Sequence, residues 1–508
     1  MLKISKLTIT LKKDLRSIIS DFSFDLRDTD KAVIIGEEGD GKSTLLKAIY
    51  DPALLEDYAE ISGEINTRGT RLGYLPQAMN EDVLALTVSD YTAGFDGFWD
   101  LLPSDIAAYT AQLSLPVGFC YSDACIATLS GGEQTKLNLL KLLIENPDVY
   151  LLDEPSNDID IDALEFLEDF INSSIKPVLF VSHDETLIEN TANVIIHIEQ
   201  VRKKQVPRAT VVRMSYPEYY ERRIAAFHRQ SQLATGERAE LKKKLDRFNK
   251  IAQKVEHQQN TISRQDPHGG QLLKKKMHAV KAQEKRLDRE EEELTDFPDL
   301  EEAISLKFPP ECSVPAGKVV IDITVPCLTV GEGEFRRVLA ENLALRVAGS
   351  ERVCIIGKNG TGKSTFLKLI AQELLARRDI NAGYMPQNYF DLLPKDKTPV
   401  EFIAPSGKKE DVTRARTLLG SAKFTPNEME SLLSDVSGGQ KAKCAFIKLI
   451  FDRCNVLVLD EPTRNLSPLS GPVIRGILNE FGGAIIAVSH DRKFIEEVAD
   501  RCISIEKP

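Results

Sequence analysis

The chain of 508 residues repeats one ordered set of short motifs, and this repeat constrains its fold more than any other feature. Each set has a glycine-rich loop ending in Lys-Ser, a glutamine, a Ser-Gly-Gly triplet, an Asp-Glu pair after an apolar run, and a histidine. From triplet serine to aspartate is 23 residues in both copies, and from glutamate to histidine is 29. Two ordered sets at matching spacing predict a duplicated domain. The first copy comprises Gly36–Ser43, Gln77, Leu129–Glu133, Leu151–Pro155 and His183, and the second Gly357–Ser364, Gln387, Val436–Gln440, Leu457–Pro462 and His490.

Each glycine loop follows a short apolar run and precedes a helical segment. A loop between a strand and a helix wraps backbone N–H groups around phosphates, and the helix N-terminus adds positive potential. We expect Lys42 and Lys363 to bridge the β- and γ-phosphates of a nucleotide. The predicted phosphate-binding residues are Gly36, Gly39, Gly41, Lys42, Ser43 and Thr44 in the first loop and Gly357, Asn359, Gly360, Gly362, Lys363, Ser364 and Thr365 in the second.

The acidic pair of each set predicts a catalytic centre. An aspartate that ends a buried strand can complete the coordination shell of Mg²⁺, and the glutamate after it can polarise the attacking water. A histidine at the end of a neighbouring strand can stabilise the charge that develops there. The predicted metal ligands are Ser43, Gln77, Asp153, Ser364, Gln387 and Asp460, and the predicted catalytic residues are Glu154, His183, Glu461 and His490.

The Ser-Gly-Gly triplets distinguish this set from those of other glycine-loop proteins. A serine hydroxyl and two glycine N–H groups at a helix start form a second phosphate clamp. With these motifs the chain resembles the ATP-binding cassette superfamily, in which the clamp comes from the opposite cassette. The resemblance implies that ATP joins the cassettes head to tail and that hydrolysis releases them. The clamp residues are Ser130, Gly131 and Gly132, expected opposite Lys363, and Ser437, Gly438 and Gly439, expected opposite Lys42.

The segment between the two copies follows a helical period. Heptad positions, most of them apolar, step by four and three from Tyr220 to Val255, and the pattern resumes from Leu273 to Leu294 after Pro267–Gly270. Heptads on both sides of a Pro/Gly breaker predict an antiparallel coiled-coil hairpin with a polar tip at 257–270. We therefore expect an α/β protein with two P-loop cassettes joined by this hairpin. The predicted division is cassette one at 1–205, the linker at 206–310 and cassette two at 311–508.

The net charge of −12 conceals a basic middle segment. Between Glu218 and Arg289 there are 18 Lys and Arg against 9 Asp and Glu, so the local net charge is +9 and the remainder carries −21. A basic insert in an acidic body is typical of local contact with a polyanion, although a solvated helix face has a similar composition. Charge alone leaves both interpretations open.

The combination resembles the F family of that superfamily, which has two fused cassettes, no transmembrane domain and a basic helical linker. The run Glu154–Asp160 is similar to the family's Glu-Pro-Thr-Asn-His-Leu-Asp. The resemblance implies binding to the ribosome near the tRNA exit site, with the linker tip approaching the tRNA and the peptidyl-transferase centre. The expected partners are then rRNA and tRNA. Some members of the family are translation factors and others protect ribosomes from antibiotics.

Composition agrees with a protein of the cytoplasm. No run of about 18 apolar residues free of charges predicts a membrane-spanning helix. The N-terminal residues lack the apolar core of a signal peptide. Eight scattered cysteines fit a reduced compartment with buried thiols. We expect a monomer with intramolecular pairing of its cassettes.

The first glycine loop departs from the second in its charge. It carries Glu37, Glu38 and Asp40 beside an expected polyanion. If these side chains point outward the cost is small, and if they point inward site one binds nucleotide weakly.

Other departures predict unequal sites. The second copy has Arg464 and Ser467 where the first has Asn157 and Asp160. Neither Leu7–Leu11 nor Leu328–Val330 offers an aromatic residue for stacking on adenine, so ATP and GTP both stay open as the nucleotide. The interval from glutamine to triplet serine is 53 residues in the first copy and 50 in the second, which leaves no room for the arm that some relatives insert there.

Two other classes of ATPase share parts of this pattern. A soluble twin subunit that energises a separate membrane transporter also fuses two cassettes, but a long basic hairpin has no role there. ATPases of DNA repair and chromosome structure carry a coiled coil inside one cassette, whereas each motif set here is complete on its own side. A ribosome-bound ATPase is therefore the leading hypothesis.

Overall fold

The two motif sets are carried by sheets with the same strand order in a computed structural model of the chain. By its internal contacts the chain divides into one unit of Met1–Tyr219 with Glu301–Pro508 and a second unit of Tyr220–Leu300. The structure describes residues 2–157, 159, 161–201, 206–261, 267–292, 306–331, 337–389, 392–464 and 466–506.

Cassette one contains a six-stranded sheet and a smaller antiparallel sheet. Its strands are β1 (Leu2–Leu11), β2 (Ser17–Leu26), β3 (Lys31–Ile35), β4 (Ala59–Asn66), β5 (Leu72–Leu75), β6 (Val149–Asp153), β7 (Val178–Val181), β8 (Val194–Gln200) and β9 (Val206–Val212). Its helices are α1 (Lys42–Tyr50), α2 (Glu81–Leu84), α3 (Val88–Ala93), α4 (Pro103–Gln112), α5 (Gly131–Glu145), α6 (Ile161–Ser173) and α7 (Glu185–Thr191). The large sheet has the order β5-β6-β7-β3-β8-β9, parallel except for β9, and the small sheet has the order β2-β1-β4.

The segment between the cassettes forms two long helices, α8 (Tyr216–Thr261) and α9 (Pro267–Glu292). Leu241 and Phe248 of α8 pack against Leu287 of α9, and the three side chains form a small apolar cluster between the two helices. Lys244 Nζ lies 2.7 Å from the Glu290 carboxylate, so the helices run antiparallel as a hairpin. With 46 residues, α8 is about 69 Å long.

The predicted breaker at 267–270 is wrong as a turn, because these residues form the first turn of α9. Proline suits the first helical position because its fixed φ matches that of the helix. It also has no backbone N–H, and an N–H at this position would have no acceptor within the helix. Of the predicted tip, residues 262–266 lie outside the described residues, and α8 continues past the expected end of its heptads to Thr261.

Cassette two repeats the plan of cassette one. Its strands are β10 (Val319–Val330), β11 (Arg337–Ala348), β12 (Arg352–Ile356), β13 (Ala382–Met385), β14 (Val456–Asp460), β15 (Ala484–Val488) and β16 (Arg501–Ser504). Its helices are α10 (Lys363–Ala376), α11 (Pro399–Ile403), α12 (Lys409–Ser421), α13 (Pro426–Glu430), α14 (Gly438–Phe451), α15 (Gly471–Asn479) and α16 (Arg492–Val498). The parallel sheet has the order β13-β14-β15-β12-β16, and β10 pairs antiparallel with β11. Short 3₁₀ turns lie at Pro52–Leu55, Phe98–Asp100, Phe119–Tyr121, Ile126–Thr128 and Pro310–Cys312.

The central strands are apolar because helices cover both faces of each sheet. Every residue of β6 and of β14 is buried, as the continuous apolar runs predict. Leu45 and Ile49 of α1 pack on this sheet in cassette one, and Phe366 and Ile370 of α10 do so in cassette two. Each of these side chains contributes about 1.5–3 kcal/mol by its burial, which fixes the helix that follows each glycine loop.

The described helices include none that is both long and apolar enough to cross a membrane.

Strand β9 was predicted to belong to the linker, whereas it pairs with β8 at the edge of the sheet of cassette one.

Candidate nucleotide-binding sites

The two glycine loops connect β3 to α1 and β12 to α10 with nearly equal backbone geometry. Gly36 has φ +155° and Gly357 has φ +148°. A Cβ atom at Gly36 would lie 2.2 Å from the carbonyl oxygen of Ile198, and one at Gly357 would lie 2.3 Å from that of Ile505. Both positions therefore require glycine for two reasons, the dihedral angle and the close backbone.

The lysine at each helix start is buried and folds back over its own loop. Lys42 Nζ donates hydrogen bonds to the carbonyl oxygens of Gly36 at 3.0 Å and Glu37 at 2.9 Å. Lys363 Nζ makes the same pair of hydrogen bonds, at 2.8 and 2.9 Å, to the carbonyls six and five residues before it. The positive charge is thus held against the backbone of the glycine loop, where a phosphate would bind.

The loop serines contact the strand-end aspartates. Ser43 Oγ donates to Asp153 at 2.8 Å and Ser364 Oγ to Asp460 at 3.1 Å. Burial raises the pKa of both aspartates, and the serine hydrogen bonds oppose the rise. Asp460 Oδ2 is buried and accepts no hydrogen bond from the described residues. A hard cation such as Mg²⁺ fits this hydroxyl and carboxylate oxygen set.

The candidate catalytic glutamates share an uncommon backbone conformation. Glu154 has φ +51° and Glu461 has φ +52°, directly after β6 and β14. Glu154 Oε1 lies 2.9 Å from His183 Nε2, and His183 Nδ1 lies 2.7 Å from the carbonyl oxygen of Leu466 in the other cassette. In cassette two, the Glu461 carboxylate accepts from the backbone N–H of His490 at 3.2 Å, and the imidazole Nε2 lies 3.8 Å away.

These contacts give the two glutamates different acidities. Burial by itself would raise the pKa of Glu154, but the attraction and hydrogen bond of His183 outweigh it and lower that pKa. Burial raises the pKa of Glu461 to about 8, with a further rise from Asp460 and a partial offset from the backbone N–H of His490. The glutamates of the two sites thus differ in their surroundings, and the unequal turnover expected from Arg464 and Ser467 stays a prediction.

A cavity of about 710 Å³ brings the second glycine loop together with the first Ser-Gly-Gly triplet. The triplet begins α5, where Ser130 Oγ accepts from the backbone N–H of Glu133 and the Glu133 carboxylate accepts from the backbone N–H of Ser130. Its two glycine N–H groups are left at the helix start, where an anion is favoured. The predicted site residues that line this cavity are Ser130, Gly131, Gly132, His183, Asn359, Gly360, Gly362, Lys363, Ser364, Thr365, Gln387, Glu461 and His490.

The reciprocal pair of motifs also meets, but a protein carboxylate lies between them. The backbone N–H of Gly439, at the start of α14, donates to Glu38 Oε2 at 2.6 Å. A Cβ atom on Gly438 would lie 2.5 Å from the same oxygen, so the carboxylate touches both glycines of the triplet. Beside it, Lys443 Nζ lies 2.6 Å from Glu37 Oε1.

The comparisons with known proteins agree with this geometry. The family model described as ABC transporter matches residues 19–157 and 340–464. The ATP-binding protein Uup of Caulobacter vibrioides is 30% identical over 493 residues, which cover 94% of this chain and 72% of that protein. ABC transporter F family member 2 of Arabidopsis thaliana is 30% identical over 412 residues.

The chain belongs to the F family of ATP-binding cassette proteins.

The match to F family member 2 covers 79% of this chain and 56% of that relative, so the chain spans about half the length of this relative. Among solved structures, the archaeal ribosome recycling factor aABCE1, in complex with the ribosomal stalk protein aP1, aligns with a TM-score of 0.59. That alignment covers 98% of this chain and 87% of the other at 16% identity, which shows a shared fold. The predicted α/β fold with two P-loop cassettes and a helical linker is confirmed.

The remaining predicted site residues of this F-family chain lie on matching elements of the two cassettes. Thr44 and Thr365 lie in the first turns of α1 and α10. Gln77 and Gln387 follow β5 and β13 with exposed side chains. The other loop glycines with positive φ are Gly39, Gly41, Gly360 and Gly362.

One functional contact was missed by the sequence reasoning. The hydroxyl of Tyr74 donates to Asp153 Oδ2 at 3.2 Å and holds the second oxygen of the candidate metal ligand. Tyr384 stands at the matching place, three residues before Gln387 as Tyr74 is before Gln77. The repeat itself was the available signal, because the shared Gly-Tyr-x-Pro-Gln run was present in both copies.

Proposed function

We propose that this chain is an ATPase that acts on the ribosome. The protein binds the ribosome near the tRNA exit site, and ATP with Mg²⁺ binds between its two cassettes. Hydrolysis of that ATP lets the closed cassettes separate. The protein thereby acts either in translation or in protection of the ribosome from antibiotics. The observation that carries the ATPase part is the cavity in which Ser130–Gly132 of one cassette faces the Lys363 loop of the other. A phosphate chain held there would contact donors from both cassettes.

Each residue of the second site has a role that follows from its chemistry. Lys363 and the loop N–H groups bind the β- and γ-phosphates, and the triplet at Ser130 binds the γ-phosphate from the opposite side. Ser364 and Asp460 would hold Mg²⁺, which neutralises phosphate charge and orients the terminal group. Glu461 orients the attacking water and polarises it in its deprotonated form, which a pKa raised to about 8 makes more abundant as the pH rises, and His490 stabilises the charge that develops on the phosphate.

The basic hairpin supports the ribosome as partner. The lysines at 242–244 on α8 and at 274–276 on α9 are all exposed. Lysine contacts to phosphate give affinity for RNA without reading its sequence. We propose that these lysines meet rRNA or tRNA and that the hairpin tip at 257–270 reaches furthest. We propose 206–310 as the linker, as the sequence predicts, and note that its first strand, β9, pairs with β8 of cassette one.

Contacts across the two cassettes support a monomer with intramolecular pairing, which we propose acts in the cytoplasm. Arg492 pairs with Glu168, and Lys493 Nζ lies 2.8 Å from Glu189. At the start of α8, which follows cassette one, the hydroxyl of Tyr216 donates to the carbonyl oxygen of Pro468 in cassette two at 2.9 Å. These contacts join the halves without a second copy of the chain.

The test uses the double variant Glu154→Gln with Glu461→Gln. We expect it to bind ATP, hydrolyse it at least about 100-fold more slowly and accumulate on ribosomes in cell lysates. Sucrose-gradient sedimentation with and without ATP measures the last effect. Hydrolysis at the wild-type rate would overturn the glutamate assignment. Sedimentation with membranes in place of ribosomes would favour the transporter hypothesis.

A further inference from the structure

The carboxylate of Glu38 lies at the position where a phosphate would meet the second Ser-Gly-Gly triplet. It accepts a 2.6 Å hydrogen bond from Gly439 N–H and touches Gly438, at the N-terminus of the 14-residue helix α14. A charge-assisted hydrogen bond at a helix N-terminus is a strong anion contact. Glu38 thus makes with the chain's own triplet the contact that a nucleotide phosphate would make.

The other acidic residues of the loop are held away from that position. Asp40 is buried, and its Oδ2 accepts from the backbone N–H of Glu37 at 2.9 Å within the loop. The Glu37 side chain pairs with Lys443 at 2.6 Å. Glu38 is therefore the residue of the acidic loop that reaches the glycines of the triplet.

The second glycine loop provides the natural comparison. Its residue at the position of Glu38 is Asn359, which carries no charge and lines the cavity opposite Ser130–Gly132. Its residue at the position of Glu37 is Lys358, which lies 2.9 Å from Asp162 of cassette one. The two loops thus present opposite charges to the opposite cassette at Glu37 and Lys358, and a charged against a neutral side chain at Glu38 and Asn359.

We propose that Glu38 is a specificity-determining residue that makes site one discriminate against nucleoside triphosphates. A γ-phosphate between Lys42 and the triplet would meet the Glu38 carboxylate, and two anions at one helix N-terminus repel each other. A diphosphate ends before the triplet, so it avoids this repulsion and leaves the Glu38 contact in place. Site one then favours a diphosphate while site two favours a triphosphate.

This inference rests on the proposed nucleotide sites, but not on the ribosome as partner. The test replaces Glu38 by the residue of the other loop, Glu38→Asn, and by its neutral isostere, Glu38→Gln. Both are made in full-length protein that carries Lys363→Ala to disable site two and Glu154→Gln to prevent hydrolysis at site one. Calorimetric titration with Mg-ATP and with Mg-ADP then gives both affinities of site one.

We expect each neutral variant to raise the affinity for ATP about tenfold relative to that for ADP, which equals about 1.4 kcal/mol. The reciprocal change, Asn359→Glu in protein with Lys42→Ala and Glu461→Gln, should lower the ATP-to-ADP affinity ratio of site two by a similar factor. This second variant tests the same idea in an independent site if the first folds poorly.

The outcomes separate the inference from the site assignment beneath it. If Lys42→Ala removes nucleotide binding at site one but neither Glu38→Asn nor Glu38→Gln changes the ATP-to-ADP ratio, the inference is wrong and the site stands. An equal gain for both nucleotides would indicate a general charge effect and would also overturn it. If Lys42→Ala changes the binding of neither ATP nor ADP, both the assignment of site one and the inference are wrong.

Discussion

At the residue scale, Glu154 and Glu461 have matching backbone angles and unequal surroundings. A positive φ in a glutamate is strained by about 1–3 kcal/mol, and both copies keep it where the chain leaves a central strand. In both copies the carboxylate lies beside the histidine that follows the neighbouring strand. The unequal surroundings come from the ends of the side chains, because Glu154 contacts the His183 imidazole while Glu461 contacts the His490 backbone.

Single glutamine variants should therefore have unequal effects on turnover. We expect Glu461→Gln to remove most of the ATPase activity of the full chain, about 100-fold, because its glycine loop has the neutral Asn359 where the first loop has Glu38. Glu154→Gln should lower the total rate by less than about twofold, since Glu38 lies at the phosphate end of site one. Steady-state phosphate release with saturating Mg-ATP measures both. Equal losses in the two single variants would contradict the distinction between the sites.

At the scale of elements, local pattern predicted most of the fold. The apolar runs predicted β3, β6, β7 and their counterparts in cassette two, because a strand covered on both faces has apolar residues at consecutive positions. The heptads predicted the helical hairpin, but the helix start at Pro267 was read as a turn, since proline and glycine serve both purposes. The position of the Glu38 side chain had no local signal, because its partner Gly439 is 401 residues away.

The hairpin lysines give the prediction at this scale. Changing the lysines at 242–244 and 274–276 to glutamine should weaken binding to ribosomes and flatten its dependence on salt. Binding with fewer phosphate contacts releases fewer counterions from the RNA, so the affinity falls less steeply as salt is added. The same positions changed to arginine keep the charge and form the matched control. We would measure the affinity for ribosomes at KCl concentrations from about 50 to about 300 mM. The slope of log affinity against log salt concentration then reports the number of phosphate contacts. If affinity and slope are the same in the glutamine and arginine forms, the hairpin is a tether.

At the scale of the whole chain, buried charge joins the two cassettes. Arg475 of α15 is 2% exposed, and its guanidinium contacts the Glu185 carboxylate through hydrogen bonds of 2.7 and 2.9 Å. A third hydrogen bond of 2.7 Å reaches Glu497. Glu185 lies two residues after His183, whose ring contacts the carbonyl of Leu466 in cassette two. The same surface therefore pairs the cassettes and orients a candidate catalytic histidine.

Arg475→Met should loosen this surface, because it leaves the Glu185 carboxylate buried without its partner. Removal of one member of a buried ion pair destabilises by about 3–5 kcal/mol, whereas loss of an exposed pair is worth about 0–1 kcal/mol. The matched control is Arg416→Met, since Arg416 pairs with Glu430 at the surface of cassette two. Urea unfolding followed by circular dichroism compares the two variants. The double variant Arg475→Met with Glu185→Leu should regain most of the loss, because no charge then stays buried at Glu185. A loss as small as that of the control, or no recovery in the double variant, would show that the buried pair does not hold the cassettes together.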